Sequence, residues 1–98
     1  MTIKETKTGD ALTVELAGRL DTITAPELEA FLDKYYPIIN ELIFDLKELD
    51  YLSSSGLRVF LKAQKAMTDK GGILIRNANR LVKGVFSVTG FDSLMRFE

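Results

Sequence analysis

Ser53-Ser54-Ser55-Gly56-Leu57 stands where an extended apolar stretch gives way to the longest helical pattern in the chain. Upstream, Leu42-Ile43-Phe44 with Leu46 reads as a strand; downstream, Leu57, Phe60, Leu61 and Met67 recur at helical spacing, widened by Val59, Ala63 and Ala66. The serines therefore occupy a strand-to-helix turn. A helix start leaves backbone N–H groups without partners inside the helix, and the aligned peptide dipoles add partial positive charge there. Such a turn can receive a phosphate. Serine is also a preferred N-cap, so the residues alone leave a purely structural role open.

On the N-terminal side, Ile3 begins a mostly polar edge strand that ends at the turn-forming Thr8-Gly9-Asp10. Ala11 to Ala17 alternates cleanly, with Leu12, Val14 and Leu16 on one face, and predicts a strand that closes an antiparallel hairpin with the first. Gly18-Arg19-Leu20-Asp21-Thr22 then reads as a short loop. Thr24 followed by Glu27 fits a capping box, Pro26 is tolerated in a first turn, and Leu28, Phe31, Leu32 and Tyr35 form one apolar stripe up to Pro37. Glu41 to Leu46 carries apolar residues toward both faces, as a central strand covered on each side would.

On the C-terminal side, Arg58, Lys62, Lys65 and Asp69 oppose the apolar face of the long helix, and Gly71-Gly72 supplies a left-handed stop. Ile73-Leu74-Ile75 is a second strand apolar on both faces. Asn77 or Asn79 caps a shorter helix carrying Leu81, Val82, Val85 and Phe86, which Gly90 ends. Leu94 to Phe97 fits either a last short strand or another helical turn. The expected fold is a single α/β domain: a mixed sheet with an N-terminal antiparallel hairpin, parallel central strands and three to four helices. If the strands near 11–17, 41–46 and 73–75 are parallel neighbours, their carboxyl ends share one edge. The Gly18–Thr22 and Ser53–Gly56 stretches then form one surface.

Composition narrows what that surface does. Ninety-eight residues make one domain, and 46% apolar with 28% charged residues is the balance of a folded globular chain. The net charge of −1 provides no global field toward nucleic acid or anionic lipid. No partner of either kind is expected. With no cysteine and no histidine, a Ser-His-acid triad, thiol chemistry and the usual zinc ligands are unavailable. Gly-x-Ser-x-Gly and Gly-Lys-Ser/Thr are also absent. Asp45, Glu48 and Asp50 would be scattered by strand alternation, so neither a metal nor a cofactor is expected. Arg58, Lys62 and Lys65, extended by Arg76, Arg80 and Lys83, read as a solvated face or a local partner contact. Met1-Thr2-Ile3-Lys4-Glu5-Thr6-Lys7 lacks a signal-peptide core, and no apolar run approaches a membrane span, which predicts a cytoplasmic protein. No enzyme is expected.

Four stretches in order carry a resemblance over the whole chain: Gly18-Arg19-Leu20-Asp21; Phe44 through Leu57, including Asp45-Leu46 and Ser53-Ser54-Ser55-Gly56; Gly71-Gly72-Ile73-Leu74-Ile75; and Val85-Phe86-Ser87-Val88-Thr89-Gly90-Phe91. Together they resemble the STAS domain, most closely that of bacterial anti-sigma factor antagonists. The resemblance implies that residues 1–98 form one STAS domain whose partner is an anti-sigma factor acting as a serine kinase. Phosphorylation at the start of the second helix releases that partner, and a phosphatase acting on phosphoserine restores binding. The position implied for the acceptor is Ser54, the second residue before the motif glycine. Many members have aspartate immediately before it where this chain has Ser53, which makes Ser53 the alternative acceptor. The surface expected to meet the partner comprises Gly18, Arg19, Asp21, Thr22, Ser53, Ser55, Gly56 and Arg58. A STAS scaffold that is never phosphorylated and a small-ligand or nucleotide-binding module are the competing readings.

Overall fold

The computed structural model describes residues 1–98. Strands β1 (Thr2–Thr8) and β2 (Ala11–Leu20) precede helix α1 (Ala25–Asp33), strand β3 (Glu41–Leu52) and helix α2 (Ser54–Ala66). Strand β4 (Ile73–Arg76), helix α3 (Arg80–Val88) and strand β5 (Arg96–Phe97) complete the chain. The strands lie in sequential order, with β1 antiparallel to β2 and every later pair parallel. Crossovers between parallel neighbours are right-handed, and each one here steps to the next strand, so the helices are delivered to the same face of the sheet.

That topology corrects the expectation of a sheet covered on both sides. Leu12, Val14 and Leu16 of β2, Leu42, Phe44 and Leu46 of β3, and Ile73 and Ile75 of β4 point into one core with Leu28, Leu32, Leu57, Phe60, Val82 and Phe86. Ring contacts run through it from sheet to helices: Phe44 meets Phe60 edge-on at 4.9 Å, Phe60 lies 5.5 Å from Phe86, and Phe86 lies 5.2 Å from Phe97 of β5. On the opposite face Ile43 pairs with Thr13 and with Leu74. Neither Ile43 nor Leu74 belongs to the core cluster. Ile43, in the middle of the sheet, is nonetheless buried, whereas Leu74 is only half-buried.

Two further strand boundaries differ from expectation. β2 continues through Gly18, Arg19 and Leu20, where a loop was expected, and β3 continues six residues past Leu46. The register shows why. Glu15 faces Asp45 but Ala17 faces Glu48, and Gly18 faces Leu49 but Arg19 faces Tyr51. Each shift places one extra residue in β3, and a bulge of this kind bends the strand and restores its facing. Leu46, Leu49 and Leu52 consequently all point inward although they are three residues apart. That spacing hides a strand from a period-two reading.

Helix boundaries follow local chemistry. The Pro37 ring excludes continued helix against the carbonyl of Asp33, the last residue of α1. Gly71 and Gly72 both adopt left-handed backbone after a 3-10 turn at Thr68–Lys70. Asn79, rather than Asn77, caps α3 by accepting from the Val82 amide at 2.9 Å. The chain end contains both forms left open by the sequence, a 3-10 turn at Phe91–Ser93 and the short β5.

Candidate functional site

The carboxyl ends of β2 and β3 leave the sheet together, and backbone contacts tie their loops to one another. The Ser53 amide donates to the Leu20 carbonyl at 2.9 Å, which prolongs the strand pairing to the last residue before α2. The three serines then divide in function. Ser53 is the N-cap: its backbone is extended, and its Oγ accepts from the Gly56 amide at 3.2 Å. Ser55 turns its Oγ toward Thr22 Oγ1, 3.3 Å away. Ser54 is the first residue of α2; it is exposed, and its hydroxyl has no hydrogen-bond partner within the chain. The amides of Ser54 and Ser55 likewise lack partners, as expected for a first helical turn.

Gly56 sets how closely this turn approaches the sheet. A Cβ at this position would lie 2.6 Å from Leu20 Cγ, 2.8 Å from Leu52 Cδ1 and 3.0 Å from the Leu20 carbonyl oxygen. Only a residue without a side chain lets α2 start so near β2.

The facing loop is organised by Asp21, and this replaces the expected capping box. Thr24 makes no side-chain cap. Its hydroxyl instead accepts from the Asp21 amide at 2.9 Å and donates to the Arg19 carbonyl at 2.8 Å. Asp21 Oδ1 accepts from the Ile23 and Thr24 amides at 3.0 and 3.1 Å, forming an Asx turn just before α1. The Thr24 amide, with Ile23 and the nearby Arg19 adding to it, holds the Asp21 carboxyl below its ordinary range. A depressed folded pKa means that the carboxylate's stabilising contribution is present above the unfolded pKa and is lost as pH falls through the folded one. In an NMR titration the Ile23 and Thr24 amide resonances are expected to move together with a midpoint below 3.8, the ordinary value. A midpoint at or above 3.8 would contradict this loop geometry.

The sequence-predicted residues occupy three places. Arg19, Asp21, Thr22, Ser53, Ser55 and Gly56 belong to the two joined loop ends, where the Arg19 guanidinium stacks 4.1 Å over the Tyr51 ring. Arg58 is exposed on α2 and lines the groove between α1 and α2 with Thr22, Glu29, Ser55 and Lys62. Gly18 lies back along β2, paired with Leu49, and contributes left-handed backbone (φ 94°). Lys62, first read with the solvated stripe, bonds Glu29 at 2.6 Å and approaches Asp33 at 3.5 Å, so it joins α2 to α1. Its hydrogen bond to Glu29, with both carboxylates nearby, raises its pKa.

One surface residue escaped the sequence reading. Ile23 is 86% exposed at the tip of the Asp21 loop. An isoleucine between two threonines in a polar loop is the signal that could have found it.

A single mixed sheet with helices on one face and a hydroxyl-bearing helix start on its carboxyl edge defines a class of small one-sided α/β domains. The chain belongs to the STAS domain family, whose profile matches residues 2–98. Among its relatives, the anti-sigma-B factor antagonist of Listeria monocytogenes is 32% identical over 101 residues, covering 98% of this chain and 85% of that protein. The Bacillus subtilis anti-sigma-B factor antagonist is 30% identical over 86 residues, covering 84% of this chain and 76% of that one. The fold matches the unphosphorylated anti-sigma factor antagonist SpoIIAA with TM-score 0.86 at 19% identity, covering 99% of this chain and 88% of that one. An anti-sigma factor antagonist from Mycobacterium paratuberculosis matches with TM-score 0.89 at 21% identity, over 98% and 83% of the two chains. No helix is long and apolar enough to cross a membrane.

Proposed function

We propose that this chain is an anti-sigma factor antagonist: unphosphorylated, it binds an anti-sigma factor that is also a serine kinase, and phosphorylation of Ser54 releases it. A phosphatase acting on phosphoserine resets the switch. The names of the curated relatives support the binding role. The observation that carries the choice of acceptor is the division of labour among the serines. Ser54 is exposed with an unengaged hydroxyl, whereas the Ser53 oxygen is held by the Gly56 amide and Ser55 faces Thr22. A kinase can reach Ser54 without dismantling the cap.

The surroundings also favour a switch that leaves the fold intact. A phosphate adds about −1.5 to −2 charge, and the free N–H groups and positive dipole end of α2 accommodate it. The partner surface is the joined edge of Arg19, Asp21, Thr22, Ser55 and Arg58, with Ile23 as its exposed apolar anchor; Gly56, expected on that surface, is buried against Leu20 and Leu52 and contributes only by seating the turn. Ser53 contributes through the turn it caps, and Gly18 through the path of β2. Charge and bulk added at Ser54 fall within that surface.

Incubation with the cognate anti-sigma kinase and ATP, followed by intact mass and peptide mapping, tests the assignment. One phosphate is expected, on Ser54. Its absence would favour an unphosphorylated STAS scaffold, and a phosphate on Ser53 would mean that the kinase first opens the cap.

A further inference from the structure

The outer face of α3 shows a pattern that folding of one chain does not require. Leu81 is 59% exposed and Val88 89% exposed; with half-buried Val85 they flank Gly84 in one shallow apolar groove. Gly84 is the informative residue. A Cβ there would meet nothing within 4 Å, and its backbone is not left-handed, so neither packing nor conformation within the chain calls for glycine. Glycine is nonetheless a poor interior helix residue. Its use makes sense where another backbone approaches closely from outside. Positions 81, 84, 85 and 88 follow the i, i+3, i+4, i+7 spacing of a helix-packing seam.

We infer that this face pairs with the same face of a second copy, two α3 helices crossing antiparallel about Gly84. The pattern is self-complementary under a two-fold axis: Leu81 of one copy lies opposite Val88 of the other, and the glycines meet at the centre. Charge supports the same occupant. Arg80 and Lys83 at the start of α3 and Asp92 beyond its end form no ion pair within the chain. Lys83, Ser87 and Asp92 border one depression, which places Asp92 along the Lys83 flank of α3. A two-fold axis lying between the helices keeps corresponding flanks together while reversing their direction. It therefore turns Arg80, which borders the groove, toward the Asp92 end of the partner helix, whose dipole is also negative. With α3 only nine residues long, the contact falls below the roughly 1,200 Å² of stable specific interfaces, so the association is weak and depends on concentration.

Sedimentation velocity from about 10 µM to about 1 mM, the range in which small interfaces associate, tests the pairing. The wild-type chain of 11.0 kDa is expected to shift toward twice that mass as concentration rises. Val88→Lys suits a helix end but opposes Arg80 of the other copy, and should weaken association at least tenfold. Gly84→Gln blocks the close approach while improving helix propensity, and should do the same with an unchanged or raised melting temperature. Arg80→Glu should weaken pairing several-fold, and adding Asp92→Arg should restore it. A wild-type chain that stays monomeric throughout overturns the inference and leaves the face to a different protein. Dimers indifferent to Val88→Lys and Gly84→Gln place the contact elsewhere, and failure of the charge swap to restore pairing overturns the antiparallel arrangement.

Discussion

Ser54→Asp is expected to fold like the parent chain and to bind the anti-sigma partner roughly 5–150-fold more weakly, a coupling of about 1–3 kcal/mol. Folding should persist because the substitution falls on the first residue of α2, where a carboxylate meets free amides and the positive end of the dipole. The cap at Ser53 and the closure against Leu20 remain. Binding should fall because the same position lies on an exposed edge, beside the Thr22–Ser55 contact, where a docked surface would have to desolvate the new charge. Ser54→Ala removes the acceptor without adding charge, and should retain affinity in the presence of ATP and kinase. Calorimetric titration of each variant against the partner decides it. Equal affinities for the two variants would remove the switch, although the chain could still be a constitutive ligand of the same partner.

Gly56→Ala should destabilise the fold by about 1–3 kcal/mol, the usual cost of overpacking a close contact. Two effects compete at this position. Alanine is the better helix former by about 1 kcal/mol, which would stabilise an unobstructed helix. Here the added carbon would lie 2.6 Å from Leu20 Cγ and 3.0 Å from the Leu20 carbonyl oxygen. Leucine side chains can adjust, but that carbonyl cannot move freely, since it accepts the Ser53 amide. Steric displacement therefore wins, and α2 must shift away from β2. Urea denaturation should show a lower midpoint with an unchanged m-value. Partner affinity should fall as well, because moving the start of α2 separates Ser55 from Thr22. A stability equal to or above that of the parent would show that the helix start is looser than its packing implies.

Much of this molecule was legible from local pattern. The alternation of Leu12, Val14 and Leu16, the helical recurrence of Leu57, Phe60 and Ala63, and the glycine stops at 71–72 and 90 depend on short-range rules that hold wherever the segment lies. Regularity failed to indicate the true structure in two places. Leu46, Leu49 and Leu52 are spaced by three because β3 bulges twice against β2, and a bulge exists only once a partner strand sets the register. Thr24 and Glu27 matched a capping pattern, yet Asp21 claims the nearby amides through an Asx turn; both arrangements satisfy local donors, and the path out of β2 selects between them.

The serine turn shows the same division. By itself the sequence determined a hydroxyl-rich helix start after a strand, in a chain with no histidine or cysteine to make it catalytic, and the whole-chain resemblance pointed to Ser54. Residue identity alone did not distribute the three hydroxyls, because serine has the same capping chemistry at 53, 54 and 55. Tertiary structure distributed them. The Leu20 carbonyl holds the Ser53 amide and Gly56 seats against Leu20, so Ser53 faces its own helix, Ser55 faces Thr22, and Ser54 is left toward solvent. That choice required contacts across more than thirty residues of sequence. Such contacts exist only when β2 and β3 lie side by side, and no local propensity encodes them.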